Sequence, residues 1–299
     1  MLVGDLSFEA FAGQLAETGV TIRTGPFVSR INSDLRELAP PIHLLYQDFP
    51  IVRESFIDFH VRVRPAPGLR YKLSPHILFA LDNQPAFHPF QRNLALPLFE
   101  WGMNWCVYNH AHQFLIAHAA VVQKGAVTCM LPGKSGSGKS TLCAALVSRG
   151  WRLLSDELAI WRPNEHRILP IARPISLKNQ SIQLIKNFAP DQIFGPYFGK
   201  TAKGALAHMK PPAESVRKMD EASAATHIIF PVYVPDSDPA LEAISQKEAF
   251  VRISDFAVNY PMQGREAFES LVDVIGRCDC FAFRYASLDD AVRIFNDLQ

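Results

Sequence analysis

A nine-residue glycine-rich segment carries the most explicit chemistry in the sequence. Residues 133–141 read Gly-Lys-Ser-Gly-Ser-Gly-Lys-Ser-Thr and satisfy every required position of the pattern G-x-x-x-x-G-K-[ST]. The glycines of such a loop let successive backbone N–H groups point at phosphate oxygens, and the helix that follows adds a favourable dipole. The sequence therefore predicts a nucleotide-phosphate site formed by Gly133, Lys134, Ser135, Gly136, Ser137, Gly138, Lys139, Ser140 and Thr141.

Two side chains of this loop have separate predicted tasks. We expect Lys139 to reach the β- and γ-phosphates of a nucleotide such as ATP, and the Ser140 hydroxyl to contact Mg²⁺. The apolar run 126–131 predicts a strand before the loop, and the run 142–147 predicts a helix after it. This context is the one that the pattern requires, so a chance loop rich in glycine and serine is a poor explanation.

An acidic pair is the best candidate for the second part of a nucleotide site. Asp156 and Glu157 follow the apolar run 151–155, which predicts a strand that ends at the pair. An acid in this place can hold Mg²⁺, and with a hydroxyl acceptor it can accept the proton of the attacking group. The alternative is that the pair forms a solvated turn.

A histidine and several cations complete the set of candidates. His118 lies in the apolar run 115–122 just before the loop strand, where a hydrogen-bonded core histidine and a residue beside the phosphates both fit the pattern. Cations in irregular segments can stabilise the charge that spreads during phosphoryl transfer. The candidates of this kind are Arg173, Lys178, Lys200 and Lys203. A solvated basic surface is the simpler interpretation of Lys178 and Lys200.

Composition and charge limit the class of protein. With 299 residues, 48% of them hydrophobic and 20% charged, the chain is predicted to be globular, with one large domain or two ordinary ones. A net charge of +1 gives no overall attraction to nucleic acid or to an anionic membrane, so neither is expected as a partner. The sequence also has no signal-peptide pattern and no apolar run of membrane length, which predicts a soluble cytoplasmic protein.

The cysteines agree with that expectation. They are odd in number and scattered, which favours a reducing compartment over a disulfide framework. We predict that they are ordinary buried or half-buried thiols: Cys106, Cys129, Cys143, Cys278 and Cys280.

The elements that must position these residues divide the chain near residue 112. Residues 1–112 are predicted to form an antiparallel sheet with helices, because segments such as 55–64 alternate between apolar and polar residues. The aromatic-rich segment 95–114 is predicted to be a helix that packs between the two parts. No flexible linker follows it, so we expect a broad interface with a catalytic domain at 113–299.

Within the second part, periodicity predicts several further elements. Strands are expected at 227–234 and 280–285, and helices at 245–258, 264–277 and 288–298. Residues 173–179 are expected to be less regular. Residues 195–212 hold many Gly, Pro and Lys residues and are predicted to form a long functional loop.

These residues resemble a known family. The stretch from His118 through the loop at 133–141 and on to Glu157 is similar to the catalytic domain of bacterial HPr kinase/phosphorylase. The similarity is closer to the HPr kinase-related kinase A group, which shows comparable patterns at 98–106, 173–179 and 201–204. The resemblance to that group covers most of the chain, whereas the resemblance to HPr kinase itself covers about 115–180.

The resemblance implies a fold and a reaction. The fold is an α/β (α+β) P-loop domain of the phosphoenolpyruvate-carboxykinase-like kind, with a mixed sheet, and the reaction is ATP- and Mg²⁺-dependent phosphorylation of a hydroxyl. In HPr kinase an aspartate in the acidic pair activates the hydroxyl and binds metal, and a histidine matches His118. We therefore assign catalysis to Asp156, Glu157, His118 and Arg173, Mg²⁺ binding to Ser140 and Asp156, and substrate binding to Lys178, Asn179 and Lys203.

The chain also departs from HPr kinase. Thr141 stands where that enzyme has a glutamate, Glu157 replaces a second aspartate, and residues 173–179 replace a glycine-rich signature. HPr is therefore not the expected substrate, and reverse phosphorylase activity is not implied. Phosphoenolpyruvate carboxykinase chemistry is a poor fit, because the sequence shows no cluster that would bind its second metal.

The acceptor is left open by the sequence. The related group is associated with small PqqD-like peptide-binding proteins, which suggests a peptide or small-protein acceptor with a Ser or Thr hydroxyl. A small-molecule hydroxyl is the first alternative, and an ATP-binding regulatory module with little turnover is an alternative of another class. A homo-oligomer is a further possibility, because HPr kinase is a hexamer.

Overall fold

The computed structural model describes residues 1–53, 56–134, 136–201 and 204–298. Two predicted site residues, Ser135 and Lys203, therefore lie outside the described residues. The side chain of Lys200 lies outside them as well. All other predicted site residues can be placed.

The first part of the chain forms a six-stranded sheet with helices packed against it. The helices are α1 (Phe8–Glu17), α2 (Ala39–Leu45), α3 (Arg70–Leu73) and α4 (Ala95–His110), with 3₁₀ turns at Val3–Asp5 and Arg92–Leu94. The strands are β1 (Val20–Thr24), β2 (Phe27–Ser33), β3 (Phe59–Pro65), β4 (His76–Leu81), β5 (Gln84–Pro85) and β6 (Phe90–Gln91). The strand order is β1-β2-β3-β4, and β5 and β6 both pair with β4.

The alternation within β3 follows the prediction. Phe59, Val61 and Val63 are buried, whereas His60 and Arg62 are exposed. One face of the strand therefore packs on the core and the other faces solvent, as expected of a sheet that is covered on one side.

The prediction of an antiparallel sheet is wrong for one pair of strands. β2 and β3 run parallel, with Ser29 opposite Phe59, while the neighbouring pairs are antiparallel. The connection between β2 and β3 carries α2, which gives the chain room to cross back before the next strand.

The second part of the chain contains the remaining elements. Its helices are α5 (Lys139–Ser148), α6 (Gln180–Phe188), α7 (Ala213–Arg217), α8 (Gln246–Ser254), α9 (Tyr260–Gln263), α10 (Arg265–Gly276) and α11 (Leu288–Asn296). The strands up to the end of the predicted loop are β7 (Leu115–Lys124), β8 (Val127–Pro132), β9 (Arg152–Ser155), β10 (Leu158–Trp161), β11 (Arg167–Ile168), β12 (Ile175–Lys178), β13 (Phe198–Thr201) and β14 (Gly204–Met209). The last strands are β15 (Ser223–Ala224), β16 (His227–Tyr233), β17 (Ala240–Ala243) and β18 (Asp279–Tyr285).

The main sheet of this part has seven strands and mixed direction. Its order is β10-β7-β8-β16-β18-β17, and β9 also pairs with β7. The central strands β8, β16 and β18 are parallel, whereas β7 is antiparallel to β8 and β17 is antiparallel to β18. The predicted α/β fold with a mixed sheet is confirmed.

Two segments that were expected to be irregular contain strands. β12 lies within 173–179, and β13 and β14 form a hairpin within 195–212, so the prediction of a long loop there is wrong. Ile175, Leu177 and Met209 are fully buried in one cluster with side chains of α5. Packing against this helix and pairing between distant strands therefore order residues whose local composition favours a loop.

A continuous apolar cluster joins the two parts of the chain. It includes Phe99 and Cys106 of α4, Ile116 of β7 and Leu158 of β10. Helix α4 therefore packs between the two parts, and apolar side chains on both sides of residue 112 share one core. The domain boundary at that residue stays a prediction.

Two further sequence expectations concern thiols and membrane segments. All five cysteines are buried and free, which confirms that they are ordinary thiols of the core. Across the described residues, every helix is too short or too polar to span a bilayer.

Candidate active site

The acidic pair, Asp156 and Glu157, interrupts a strand beside the glycine-rich segment 133–141, which is called the phosphate loop below. Ser155 at the end of β9 and Leu158 at the start of β10 both pair with β7, and the two acidic residues between them bulge from the strand. On the other edge of β7, Ala119 pairs with Pro132, which is the last residue of β8. The acids and the phosphate loop therefore lie at the same level of the sheet, separated by one strand.

The neighbouring parallel strands hold the phosphate loop in place. The Tyr285 hydroxyl at the end of β18 donates to the Gly138 carbonyl at 2.9 Å, and the Tyr233 N–H at the end of β16 donates to the Ser137 carbonyl at 2.9 Å. Both loop carbonyls therefore accept hydrogen bonds from within the protein. The first N–H groups of α5 have no partner within the helix, so they are available to an anion such as phosphate.

Two loop glycines offer a matched pair of variants. Gly136 (φ 90°) and Gly138 (φ 93°) are both left-handed, but only at Gly138 would a Cβ meet other atoms, 2.5 Å from the Tyr285 hydroxyl. We expect Gly138→Ala to lower the free energy of unfolding by about 2–4 kcal/mol, from backbone strain plus overpacking. For Gly136→Ala we expect about 1–2 kcal/mol, from strain alone. Urea denaturation would measure both, and equal effects would contradict the proposed crowding at Gly138.

Lys139 is buried beneath the loop and lies against the acidic pair. Its ammonium donates to the Asp156 backbone carbonyl at 2.9 Å, and it lies 3.8 Å from Glu157 Oε2 and 3.4 Å from His118 Nε2. Only 5% of the residue is exposed. A buried ammonium needs a compensating charge, which the Glu157 carboxylate supplies.

Glu157 and His118 form a hydrogen-bonded pair. The distance between His118 Nε2 and Glu157 Oε2 is 2.7 Å. Burial alone would raise the pKa of Glu157, but the Lys139 ammonium and the His118 hydrogen bond lower it below its usual value. The carboxylate is therefore ionised at neutral pH, so it is the acceptor and His118 Nε2 is the donor. Of the two interpretations of His118, this contact favours a place at the site.

Asp156 is the more buried acid of the pair, with 4% of the residue exposed. The Ser176 N–H donates to its Oδ2 at 3.1 Å, whereas its Oδ1 is buried and has no hydrogen-bond partner among the described residues. Burial raises the pKa of Asp156, and Lys139 and the Ser140 hydroxyl act in the opposite direction. The alternative of a solvated turn does not fit a carboxyl group in these surroundings.

The oxygen atoms around Asp156 fit a magnesium ion. Mg²⁺ prefers oxygen ligands and is usually held by one or two carboxylates together with phosphates and water. The unpartnered Oδ1 of Asp156 and the nearby Ser140 hydroxyl are ligands of this kind. Within the described residues, no three His, Cys, Asp or Glu side chains form a metal site by themselves. A cation here would therefore take its remaining ligands from the nucleotide and from water.

Arg173 lies in a buried network that reaches the first part of the chain. Its Nη2 donates to Glu100 Oε2 at 2.6 Å, and its Nη1 donates to Asn104 Oδ1 at 2.9 Å. The Tyr46 hydroxyl accepts from Arg173 Nε at 3.3 Å and donates to Glu100 Oε1 at 2.8 Å. These contacts fix α4 against the cleft. The catalytic role of Arg173 stays a prediction.

Lys178 and Asn179 lie at the end of β12. Lys178 is half-buried in the cleft wall, close enough to Glu157 to contribute to its lowered pKa. Asn179 has a φ of 53°, and its Oδ1 accepts from the Ala205 N–H at 3.0 Å. Gly204 is required opposite, since a Cβ there would lie 2.1 Å from Asn179 Oδ1. Asn179 thus anchors the β13–β14 hairpin, and the substrate-binding roles of both residues stay predictions.

Most of the predicted site residues line one cleft with a volume of about 2140 Å³. Ligand pockets are commonly about 300–1000 Å³, so this cleft has room for a nucleotide and a second substrate. The predicted residues that line it are Lys134, Gly136, Gly138, Lys139, Ser140, Thr141, His118, Asp156, Glu157, Arg173, Lys178 and Asn179. Gly133 and Ser137 lie within the loop itself, where the Ser137 hydroxyl is 2.6 Å from the position that a Cβ on Gly133 would take.

Sequence reasoning missed several residues of the cleft. His208 on β14 lines it and is buried, and its Nδ1 has no hydrogen-bond partner among the described residues. Burial lowers its pKa, so it is neutral at neutral pH. Tyr108 lies near Glu157, and Tyr233 stands beside the phosphate loop. The sequence did contain an indication of His208, because it is the one polar residue of the short apolar run 205–209.

Comparisons with known proteins give little information about the function of this site. No protein-family profile matches the sequence, and no curated protein matches it. Among solved structures, the chain is similar to the Hpr(Ser) kinase/phosphatase from Coxiella burnetii, with 13% sequence identity and a TM-score of 0.27. That match covers 61% of this chain and 93% of the other. A likeness at this level carries no argument about activity, so the resemblance to the HPr kinase-related group stays a prediction.

Proposed function

We propose that this protein is an ATP-dependent kinase that transfers the γ-phosphate to a hydroxyl group. The observation that carries the proposal is the convergence of Lys139, Asp156 and Glu157 at the start of the loop helix. A buried cation beside two carboxyl groups and a phosphate loop provides the positioning and charge stabilisation that phosphoryl transfer needs. The cleft supports a reaction with two substrates because it exceeds the usual volume of one ligand pocket.

In this proposal the two acids have different tasks. Asp156 and Ser140 hold Mg²⁺, which when bound neutralises charge on the transferring phosphate. Glu157 is ionised and hydrogen-bonded to His118, so its carboxylate orients the acceptor hydroxyl and takes its proton as the oxygen bonds to phosphorus. Lys139 stabilises the negative charge that develops on the phosphate oxygens.

The strand order supports a direction for the nucleotide. The acids lie on one side of the phosphate loop, beyond β7, and Tyr233 and Tyr285 lie on the other side, at the ends of β16 and β18. A triphosphate whose γ-phosphate faces the acids therefore directs its base toward the tyrosines. The acceptor then enters from the side of α4.

The acceptor in this proposal is a Ser or Thr hydroxyl of a peptide or small protein, including one of the PqqD-like kind. A large part of the cleft lining comes from the first part of the chain, within 85–108. That part would accordingly recruit or cover the acceptor.

A substitution of the metal-binding acid tests the proposal. We expect Asp156→Asn to reduce the rate of phosphate transfer by about 100-fold and to raise the Mg²⁺ concentration needed for half-maximal rate. Initial rates with γ-labelled ATP across a Mg²⁺ titration would measure both. The matched control is Asp191→Asn, which makes the same change at an exposed position.

Two results would oppose the proposal. An Asp156→Asn variant with the wild-type rate and Mg²⁺ dependence would show that Asp156 takes no part in the reaction. Tight ATP binding by the wild-type protein without transfer to any tested hydroxyl would favour an ATP-binding regulatory module.

A further inference from the structure

We propose that the outer part of the cleft binds an extended peptide whose acceptor hydroxyl lies next to a bulky, uncharged apolar side chain. The inference rests on the proposed function and specifies the class of its second substrate. The outer part is defined here as the wall formed by the lining residues 85–91 and Leu94 and by the α4 residues Pro97, Trp101, Trp105 and Tyr108.

The outer part is continuous with the reacting groups. Tyr108 lines the cleft. The pKa of its phenol is raised mainly by burial and also by the nearby Glu157 carboxylate, so the ring lies close to the acidic pair. Trp105 and Trp101 lie about one and two turns before Tyr108 on the same helix and also line the cleft. A substrate that presents its hydroxyl to Glu157 therefore lays its neighbouring groups along this wall.

The wall is aromatic and partly exposed. The Phe87 and Trp105 rings meet edge to face with centroids 5.4 Å apart, and the Phe90 and Trp101 rings do so at 5.8 Å. Trp101 is 39% exposed although it is one of the largest apolar side chains of the chain. Aromatic side chains on a rigid helix are typical anchor points for a bulky apolar partner group.

Among the described residues, the Lys, Arg, Asp and Glu side chains that line the cleft lie outside the outer part. The Lys, Arg, Asp and Glu residues that line it are Lys134, Lys139, Asp156, Glu157, Arg173, Lys178 and Glu100. Glu100 is paired with Arg173, and Lys139 lies against Asp156 and Glu157 at the start of α5. Among the described lining residues of the outer part, the ionisable side chains are His88 and Tyr108, and the neighbouring Arg92 is paired with Glu37 outside the cleft. A substrate with charged groups here would lose hydration without gaining an ion pair, which favours an uncharged one.

The shape of the wall favours a peptide over a small alcohol. β6 (Phe90–Gln91) lines the cleft and pairs on one side with β4, and no described strand pairs with its other side. An unpaired strand edge is a template for an extended peptide, which then places alternate side chains on the adjoining surface. The volume that remains beside a nucleotide is itself that of a full ligand pocket, which a small alcohol would fill only in part.

A peptide library tests the side-chain preference. The full chain is incubated with Mg²⁺, γ-labelled ATP and peptides that have one fixed Ser or Thr and one varied neighbouring position. We expect transfer to be selective for Phe, Trp, Tyr or Leu within two residues of the hydroxyl. Selection for charged residues, indifference to the neighbours, or transfer only to free small alcohols would overturn the proposal.

A variant at the wall tests the location. With the best peptide, Trp101→Ala is expected to raise the KM for the peptide by about tenfold, while Trp101→Phe restores most of the affinity. The effect is expected on the KM for the peptide rather than on that for ATP. The control is Phe268→Ala, which removes an aromatic side chain that is 47% exposed on α10, outside the cleft, and is expected to change neither value. Equal KM values in Trp101→Ala and wild type would overturn the proposed location.

Direct binding separates this inference from the proposed function. Fluorescence polarisation of labelled library peptides is measured with the wild-type chain in the absence of ATP. Tighter binding of peptides with aromatic neighbours, weakened by Trp101→Ala, would uphold the peptide site even if no transfer to a hydroxyl occurs. Transfer to peptides without any such preference in binding or rate would uphold the kinase and overturn the peptide site.

Discussion

Replacing Lys139 with alanine is expected to slow phosphate transfer from ATP to a hydroxyl by about 1000-fold. The Lys139 side chain is 5% exposed, and its ammonium lies against the acidic pair beside the start of the loop helix. A charge in such surroundings is screened less than one in water, so its loss from a transition state with spreading negative charge is costly. Single-turnover rates with labelled ATP would measure the loss apart from product release.

The exposed lysine of the same loop provides the control. Lys134 lines the cleft but is exposed, so Lys134→Ala is expected to slow transfer by less than about tenfold. Circular dichroism and thermal unfolding of both variants would show whether the fold is retained. A folded Lys139→Ala variant that transfers phosphate at the wild-type rate would contradict the proposed function.

The second large effect is expected on stability, at Arg173. Arg173→Ala is expected to lower the free energy of unfolding by about 3–5 kcal/mol, because Glu100 is then buried without its cation. Asn104 and Tyr46 lose a hydrogen-bonding partner as well. Urea denaturation followed by tryptophan fluorescence and circular dichroism would measure the change.

A double variant separates the loss of the ion pair from the cost of leaving the Glu100 charge buried without a partner. In Glu100→Met/Arg173→Met both charges are replaced by apolar groups, so no uncompensated charge remains. We expect this double variant to be more stable than Arg173→Ala alone. An Arg173→Ala variant of wild-type stability with no transfer activity would instead assign Arg173 to catalysis, as the sequence predicts.

The strand, glycine-rich segment and helix at 127–148 are the part of the candidate site whose local arrangement could be predicted from the sequence. They are contiguous, so their relative geometry is set by local backbone conformation. Tyr233 and Tyr285, which hold the loop carbonyls, come from strands far along the chain. Local patterns cannot indicate such partners.

The prediction of a long loop at 195–212 is wrong for a related reason. Gly, Pro and Lys residues favour a loop when they are judged by local preference alone. In the structure, β14 pairs with β12, and Asn179 fits closely against Gly204. Hydrogen bonds between distant strands thus outweigh a weak local preference.

The sequence by itself determined that the chain has the glycine-rich motif of a phosphate loop, an acid pair after a strand and a histidine before the loop strand, since each depends on neighbours within a few residues. Only the tertiary structure decided which side chains meet: that His118 donates to Glu157, that Asp156 lies near Ser140 with an oxygen that no described residue bonds, and that Arg173 is bound by Glu100. It also decided that the aromatic helix α4 lines the cleft. The physical reason is that burial, pairing and ionisation are set by the order of strands and the packing of helices, which bring together residues far apart in the chain.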